Sequence, residues 1–350
     1  MRALVMEQFG GPLAIKELAT PDVPAGAVLI DVVATGLCRS DWHAWSGHDS
    51  DVVLPHVPGH EFAGVVSTVG DGVSRWHVGD RVTSPFVEGC GECEWCRSGN
   101  AQVCPHQQQP GFTHAGSFAE QVVIHAADTN LIAIPENVGF EAAALLGCRF
   151  ATAYRALTAR ARLHPHEWVT VVGAGGVGLS LVMIAKALGA RVIAIDRSPA
   201  PLATATGLGA DAVIQTDAAD TPADIAARIH DLTAGGSHVS VDAVGSPATA
   251  ATAVLGLRRR GRHIQVGLLA SDDGTSPLPM ARVIAWELDV LGSHGMAAAD
   301  YPPMLQMVAA GTLDPAALIA GTIGLAEAAS ALPAMAATAG AGTTIIDPRR

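Results

Sequence analysis

Charged residues are scarce in this chain. They make up 15% of its 350 residues, whereas hydrophobic residues make up 49%. This composition excludes an intrinsically disordered chain, which would carry more charge and fewer apolar residues, and it indicates a packed globular protein. The length fits two domains of ordinary size better than one core.

Long basic runs are lacking as well. Lys and Arg number 21 against 33 Asp and Glu, and the densest basic stretch is residues 258–260. A nucleic-acid-binding protein would carry a basic patch for the phosphate backbone. We therefore expect a small-molecule partner and no nucleic acid.

Signal-peptide and membrane-span patterns are missing too. Glu7 precedes any apolar region of the kind that a signal peptide needs, and no small-residue cleavage pattern follows. One uncharged stretch, residues 168–185, approaches the length of a membrane span, but four glycines interrupt it. It fits a buried strand, a glycine turn and an apolar helix better. We expect a cytoplasmic protein that does not cross a membrane.

The first part of the chain reads as a β-rich lobe. It alternates β-type runs with Gly- and Pro-rich turns and shows little helical periodicity until about Glu141. The predicted strands are 27–34, 64–69, 80–83 and 118–124.

From Trp168 onward, strands alternate with Ala-rich helical segments. The predicted strands are 168–172, 191–195, 212–215, 239–244, 263–266 and 289–292. This alternation predicts a doubly wound parallel sheet, an α/β fold with right-handed crossovers. We expect no further strand–helix series after about Gly295, a return of the last residues to the first lobe, and helix and turn over 326–342. The predicted domains are therefore 1–149 with 296–350, and 150–295.

Four of the six cysteines lie in one short segment. Cys90, Cys93, Cys96 and Cys104 follow the pattern C-x2-C-x2-C-x7-C. Closely spaced thiolates on a glycine-containing loop supply the tetrahedral set that a structural zinc ion needs. Two disulfides are the alternative, but a reducing cytoplasm and the short spacing disfavour them.

The other two cysteines are far apart in sequence, and a lone cysteine is most often a small buried hydrophobe. However, Cys38 begins the run Cys-Arg-Ser-Asp-Trp-His, and His60 lies in Pro-Gly-His-Glu. A set of Cys38, His60 and Cys148 would leave a fourth position open, which is the pattern of a catalytic zinc site. The spacing alone does not show that these three residues converge.

A glycine-rich motif follows the predicted strand 168–172. Its glycines are Gly173, Gly175, Gly176 and Gly178. In a strand–turn–helix context, this G-x-G-x-x-G pattern lets backbone N–H groups approach the pyrophosphate of a dinucleotide. Asp196 ends the next strand, where a carboxylate would bind the adenosine ribose and repel a 2′-phosphate, so NAD is favoured over NADP. Arg197 could soften that preference or be an ordinary surface residue.

Taken together, these motifs resemble the zinc-containing alcohol dehydrogenases of the medium-chain dehydrogenase/reductase family. The matching segments are 38–41, 59–61, the four-cysteine segment, Gly147-Cys148 with Thr152, and the glycine loop with Asp196. The resemblance implies a β-rich GroES-like catalytic domain with a zinc lobe, a Rossmann coenzyme domain, two zinc ions per chain and NAD.

The same resemblance implies roles for residues around the catalytic zinc. Cys38, His60 and Cys148 would bind the ion, and Glu61 would lie behind it as an alternative ligand. Asp41 would orient His60, although an Asp that caps a turn is the simpler reading.

Further roles follow from the resemblance. Ser40 and His43 would relay the alcohol proton to solvent, because a zinc-bound alcohol must lose its proton before hydride transfer. Other positions implied to contact cofactor or substrate are Arg39 for the pyrophosphate, Thr152 and Val177 for the nicotinamide, and Phe86 in the substrate pocket. Arg39 could equally be surface, and Val177 and Phe86 plain core. Trp42 and Trp45 could narrow the pocket or pack beneath it.

The implied activity is reversible oxidation of a primary or secondary alcohol to an aldehyde or ketone. A polyol or sugar-alcohol dehydrogenase is the nearer rival, disfavoured because many such relatives replace the third cysteine by Glu. A non-catalytic dinucleotide-binding relative is the remoter one, which would need neither a relay nor an open zinc site. The resemblance also implies a homo-oligomer, a tetramer or else a dimer.

Overall fold

The computed structural model describes residues 1–269, 275–335 and 342–350. These residues form two compact units. The first contains Met1–Ala151 with the described residues from Gly295 to 335 and Thr343–Arg350, and the second contains Thr152–His294.

The described strands are numbered in chain order. They are β1 (Arg2–Met6), β2 (Leu13–Glu17), β3 (Val28–Gly36), β4 (Phe62–Val69), β5 (Arg81–Thr83), β6 (Gln121–Ile124), β7 (Ile132–Ala133), β8 (Trp168–Val172), β9 (Arg191–Asp196), β10 (Ala212–Gln215), β11 (Ser237–Asp242), β12 (Leu257–Gln265), β13 (Asp289–Gly292), β14 (Ile319–Gly324) and β15 (Thr343–Asp347).

The helices are mostly short. They are α1 (Arg39–Trp45), α2 (Glu94–Arg97), α3 (Ala127–Asn130), α4 (Phe140–Ala144), α5 (Arg149–Arg155), α6 (Gly176–Ala187), α7 (Pro199–Gly207), α8 (Pro222–Thr233), α9 (Pro247–Leu255), α10 (Met280–Trp286), α11 (Tyr301–Ala309) and α12 (Leu325–Ala334). Within the described part of the chain, no helix has the length and apolar character needed to cross a membrane.

The first unit is built on a seven-stranded sheet in the order β14-β15-β3-β4-β5-β7, with β6 also paired to β3, and on a separate β1–β2 pair. All of its pairings are antiparallel except β14–β15. Aliphatic and aromatic side chains such as Ile30, Phe62 and Val82 form a core against one face of this sheet. Burial of these side chains, rather than local propensity, stabilises such short strands.

The second unit contains a six-stranded sheet in the order β10-β9-β8-β11-β12-β13, and every pairing in it is parallel. All five residues of β8 are buried, as expected for a strand that is covered on both faces. The predicted fold class, a Rossmann sheet plus a GroES-like β-rich domain, is confirmed.

Two predictions about local structure were wrong. One strand–helix–strand unit, β14–α12–β15, follows Gly295, although no further strand–helix series was expected. Two glycines in β14 and its half-exposed pattern hide the strand from sequence reasoning. Helix α1 was also missed, because seven residues are too few to show helical periodicity. Of the helix and turn expected over 326–342, the helix is present in α12, and residues 336–341 lie outside the described residues.

Candidate functional site

The register between β3 and β4 brings together segments that are distant in sequence. Thr35 pairs with Phe62, so the residues just after β3 lie beside those just before β4. Cys38 follows the first strand and His60 precedes the second. Cys148, between α4 and α5, completes the group: the ligand atoms of Cys38, His60, Cys148 and Glu61 all lie within 4.8 Å of one another. A zinc ion requires this kind of convergence.

The His60 ring is held by Asp41. Its Nδ1 lies 2.8 Å from Asp41 Oδ1, and the same carboxylate accepts the backbone N–H groups of Cys38 and Gly59 at 2.9 and 3.2 Å. Asp41 therefore both caps the start of α1 and orients the imidazole, so the two readings of this residue are compatible. Although burial opposes it, the Asp41 carboxylate raises the pKa of His60 well above its usual value.

The other ring nitrogen of His60 shows that the residues fit a metal. His60 Nε2 is buried and has no hydrogen-bond partner among the described residues. A buried nitrogen of this kind is costly unless something binds it. With Nδ1–H donated to Asp41, the Nε2 lone pair is free to bind zinc beside two thiols, the arrangement that metal-ligating histidines usually have.

The two cysteines of this group act as a pair. A hydrogen bond from Cys148 lowers the pKa of Cys38 well below its ordinary value, and the same bond raises the pKa of Cys148. Cys38 is therefore the more readily ionised of the two thiols, and both would have to lose their protons to bind a metal ion.

Glu61 is bound by an arginine that sequence reasoning missed. Arg149 Nε lies 2.9 and 3.0 Å from the two carboxylate oxygens, Nη2 also donates to Oε2, and the backbone N–H of Arg149 donates to Oε1 at 3.0 Å. Burial raises the pKa of Glu61, and the guanidinium opposes that rise. The signal available in the sequence was a charged residue directly after Cys148, inside an otherwise apolar segment.

The four-cysteine lobe forms a second candidate metal site. Cys90, Cys93, Cys96 and Cys104 place their sulfurs within 4.8 Å of one another. The Cys93–Cys104 and Cys90–Cys96 sulfur pairs are 3.7 and 4.0 Å apart, far beyond the ~2.05 Å of a disulfide. Backbone N–H groups of Glu92 and Cys93 lower the pKa of Cys90 to about 6, so a thiolate forms readily there.

Helix α1 carries the predicted relay residues. The Cys38 sulfur lies 3.9 Å from Ser40 Oγ, and His43 is one helical turn farther on. His43 Nδ1 lies 3.0 Å from Nδ1 of exposed His48, a contact that sequence reasoning missed although His48 is only five residues away. Burial, followed by the nearby His48 and Arg39, lowers the pKa of His43.

The aromatic residues near α1 mainly pack. The Trp42 ring stands edge-on to His43 and His48, with centroids 5.0 and 5.6 Å apart, and Arg39 lies 5.5 Å above it. Trp45 donates its indole N–H to a backbone carbonyl, that of Gly11. Phe86 is 6.1 Å from the His60 ring, which places it beside the candidate zinc site.

The glycine loop lies in the second unit, between β8 and α6. Gly173 has φ +93°, and a Cβ on Gly178 would lie 1.8 Å from the Gly173 carbonyl oxygen, so both positions require glycine. A Cβ on Gly175 would meet no described atom within 4 Å, so the backbone at the N-terminus of α6 has open space beside it, as binding of a pyrophosphate there would require.

Asp196 braces this loop from the end of β9. Its carboxylate accepts the backbone N–H groups of Ala174 and Ser198 at 2.8 and 2.9 Å. Arg197 beside it is exposed, Val177 is half-buried in α6, and Thr152 is buried in α5. The sequence-predicted residues thus form two groups: the candidate zinc ligands and relay residues lie in the first unit together with Arg39, and the other predicted dinucleotide residues lie in the second.

Comparisons with known proteins agree with this chemistry. Residues 24–136 match the alcohol dehydrogenase GroES-like domain, and residues 176–310 match the zinc-binding dehydrogenase family. An alcohol dehydrogenase of Geobacillus stearothermophilus is 40% identical over 244 residues, which cover 69% of this chain and 70% of the relative.

Solved structures are similar over nearly the whole chain. An NAD-dependent alcohol dehydrogenase has a TM-score of 0.88 at 31% identity, with 99% of each chain covered. A thermostable alcohol dehydrogenase from Pyrobaculum aerophilum, solved with cobalt and zinc bound, has a TM-score of 0.84 at 30% identity, again with 99% of each covered.

Proposed function

Because this chain belongs to the zinc-dependent alcohol dehydrogenases of the medium-chain dehydrogenase/reductase family, we propose that it reversibly oxidises a primary or secondary alcohol with NAD as hydride acceptor. The observation that carries the proposal is the convergence of Cys38, His60 and Cys148. The Nε2 atom of His60 is buried there and has no hydrogen-bond partner among the described residues. Three protein ligands leave the fourth position for an alcohol.

A zinc ion held by Cys38, His60 and Cys148 would supply a Lewis acid, which makes an alcohol easier to deprotonate. The chain's own residues do the rest. Asp41 holds the His60 ring, Ser40 and His43 accept and pass on the alcohol proton, and Phe86 borders the substrate. Because His43 contacts His48, the proton can pass from the His43 ring to an exposed imidazole.

We further propose two zinc ions per chain, the second held by the four cysteines of the lobe. The geometry supports this count, because four sulfurs lie together and hydrogen bonds from backbone N–H groups reach Cys93 and Cys104. With all four positions taken by thiolates, this site is structural. Thiolates kept for zinc also support the proposed cytoplasmic location, since an oxidising compartment favours disulfides.

A homo-oligomer, a tetramer or else a dimer, is proposed as the assembly. Strand β13 ends the strand order of the second unit and pairs only with β12 among the described strands. Val290 on that strand and Met280 and Ile284 on α10 are exposed apolar side chains. Open strand edges and apolar patches are usually covered in stable proteins. Light scattering after gel filtration tests the assembly, with Val290→Lys expected to weaken it.

The experiment for the activity is a screen of primary, secondary and polyhydric alcohols with NAD, followed by NADH absorbance. We expect turnover of primary or secondary alcohols that is lost when a chelator removes the metal. Absence of NADH formation from every such alcohol by the zinc-loaded enzyme would contradict the proposal, and turnover of polyols alone would replace the substrate class.

A further inference from the structure

The Arg149–Glu61 pair is packed directly behind the candidate zinc ligands. Glu61 is completely buried and Arg149 is 8% exposed. The guanidinium reaches both carboxylate oxygens, and the Arg149 backbone N–H adds a further bond to Oε1. Arg149 thus forms hydrogen bonds with both oxygens of the Glu61 carboxylate. The preceding residue, Cys148, belongs to the group of candidate zinc ligands.

The strand end next to this pair leaves room for it. A Cβ on Gly36 would lie 2.7 Å from Glu61 Oε2 and 3.0 Å from Arg149 Nη2, so a side chain at this position would force the ion pair to shift. Gly36 also donates its N–H to the Glu61 carbonyl at 2.7 Å. Its φ lies outside the left-handed region, so the backbone does not demand glycine there. Glycine is favoured at this position because the Arg149–Glu61 ion pair occupies the space that a side chain would need.

Charge balance explains why a cation is needed. Two thiolates and the buried carboxylates of Glu61 and Asp41 would carry four negative charges, of which a zinc ion would offset two and Arg149 a third. Uncompensated buried charge is costly, so the guanidinium lowers the cost of keeping Glu61 ionised beside the other ligands. Arg149 supplies this charge because a guanidinium is not deprotonated in proteins.

The same contacts compete with metal binding by Glu61. A Glu61 oxygen lies within 4.8 Å of the other ligand atoms, close enough for a small movement to bring it to zinc. A carboxylate offers about four acceptor sites, and Arg149 occupies most of them. A carboxylate freed from the guanidinium would be drawn to the cation nearby.

We propose that Arg149 is a positioning residue that holds Glu61 off the catalytic zinc and so keeps the fourth coordination position open for the alcohol. This inference rests on the proposed function. Without Arg149, Glu61 becomes the fourth protein ligand and the site closes, so the metal is held more firmly while added ligands are excluded.

The test replaces the catalytic zinc by cobalt(II) and records the visible spectrum while imidazole is added as an external ligand. In the wild type, imidazole should shift the cobalt bands. In Arg149→Gln, we expect a changed starting spectrum, a response to imidazole weakened at least about tenfold, and slower removal of the metal by a chelator. The double variant Arg149→Gln/Glu61→Gln should regain the imidazole response.

Two further variants keep the test decisive. Arg149→Lys retains the charge but not the two-pronged contact. We expect it to weaken the imidazole response and slow the removal of metal in the same direction as Arg149→Gln, but by less. It replaces Arg149→Gln in the test if that variant does not fold. Arg262→Gln breaks a partly buried ion pair, with Glu167, in the second unit and should leave the spectrum unchanged.

The outcomes separate the inference from the proposed function. A wild-type spectrum without thiolate–cobalt bands or an imidazole response would remove the zinc site itself and, with it, the inference. A responsive wild type whose Arg149 variants bind imidazole equally well, or lose metal faster, would overturn the inference alone, because a merely stabilising ion pair predicts faster loss.

Discussion

Asp41 Oδ1 lies 2.8 Å from His60 Nδ1, and both side chains are buried. This contact leaves Nε2 as the only nitrogen of the ring that can bind a metal. It also links the N-terminal turn of α1, which carries the proposed relay, to the proposed zinc ligand that precedes β4. In the proposed function, metal binding and proton transfer therefore both depend on one carboxylate.

Replacing Asp41 by Asn should weaken zinc binding at the catalytic site by about 10–100-fold, because the amide cannot stabilise the ligating imidazole as a carboxylate does. Competition with a chelator measures the affinity. Asp31→Asn, a change of an exposed carboxylate in the same unit, is the control. Unchanged affinity in Asp41→Asn would reduce Asp41 to a helix cap.

The His43 imidazole should act as the base of the relay. Burial, His48 and Arg39 lower its pKa, so it stays neutral and able to accept a proton at pH values where an ordinary histidine is charged. Alcohol oxidation should therefore fall only as the pH drops through this lowered pKa. In His48→Gln, the pKa of His43 should rise, and the acidic limb of the kcat/KM profile should move to higher pH.

His43→Ala should slow oxidation at neutral pH by a factor on the order of 10², with partial rescue by added buffer bases or alkaline pH. Zinc content should not change. His77→Ala, at a highly exposed histidine, serves as the control. A wild-type pH profile in His43→Ala would leave His43 as a packing residue.

The four-cysteine lobe should contribute folding free energy. Cys96→Ser should lower Tm by more than about 4 °C, because a structural zinc stabilises the fold directly. Cys148→Ala should change Tm less, since the elements on either side of its site, β3, β4, α4 and α5, are held by the rest of the first unit. Calorimetry on both variants makes the comparison, and equal Tm values for Cys96→Ser and the wild type would exclude a structural zinc.

Cofactor preference should depend on Asp196. Asp196→Gly removes the ribose-binding carboxylate and its repulsion of a 2′-phosphate, and exposed Arg197 can then bind that phosphate. We expect the ratio of kcat/KM for NAD over NADP to fall by a factor on the order of 10². The loss of the Ala174 contact should also weaken both cofactors, so the ratio is the proper readout. A wild type that prefers NADP would show that the acid was misassigned.

Local patterns were predictable from the sequence. The glycine loop and the four-cysteine segment each place their residues within one short stretch of chain, so their spacing predicts their geometry. The six strands of the parallel sheet were also found, because strands alternating with helices leave a clear pattern.

Long-range geometry was not predictable in the same way. Cys38, His60 and Cys148 meet only through the β3–β4 register and the placement of α4 and α5, which no spacing encodes. The Arg149–Glu61 pair joins residues 88 positions apart. In the sequence, Arg149 is a charged residue in an apolar segment, and its role becomes clear only when the structure shows Glu61 as its partner.

Cys38, His60 and Cys148 are proposed to hold a catalytic zinc ion that is distinct from the zinc ion proposed for the four-cysteine lobe. Metal analysis of purified wild type and Cys148→Ala, with alcohol oxidation by NAD recorded on the same samples, tests this proposal. We expect two zinc ions per wild-type chain and about one in the variant, which keeps its fold but loses turnover. Full activity in Cys148→Ala, or one zinc per chain in an active wild type, would contradict it.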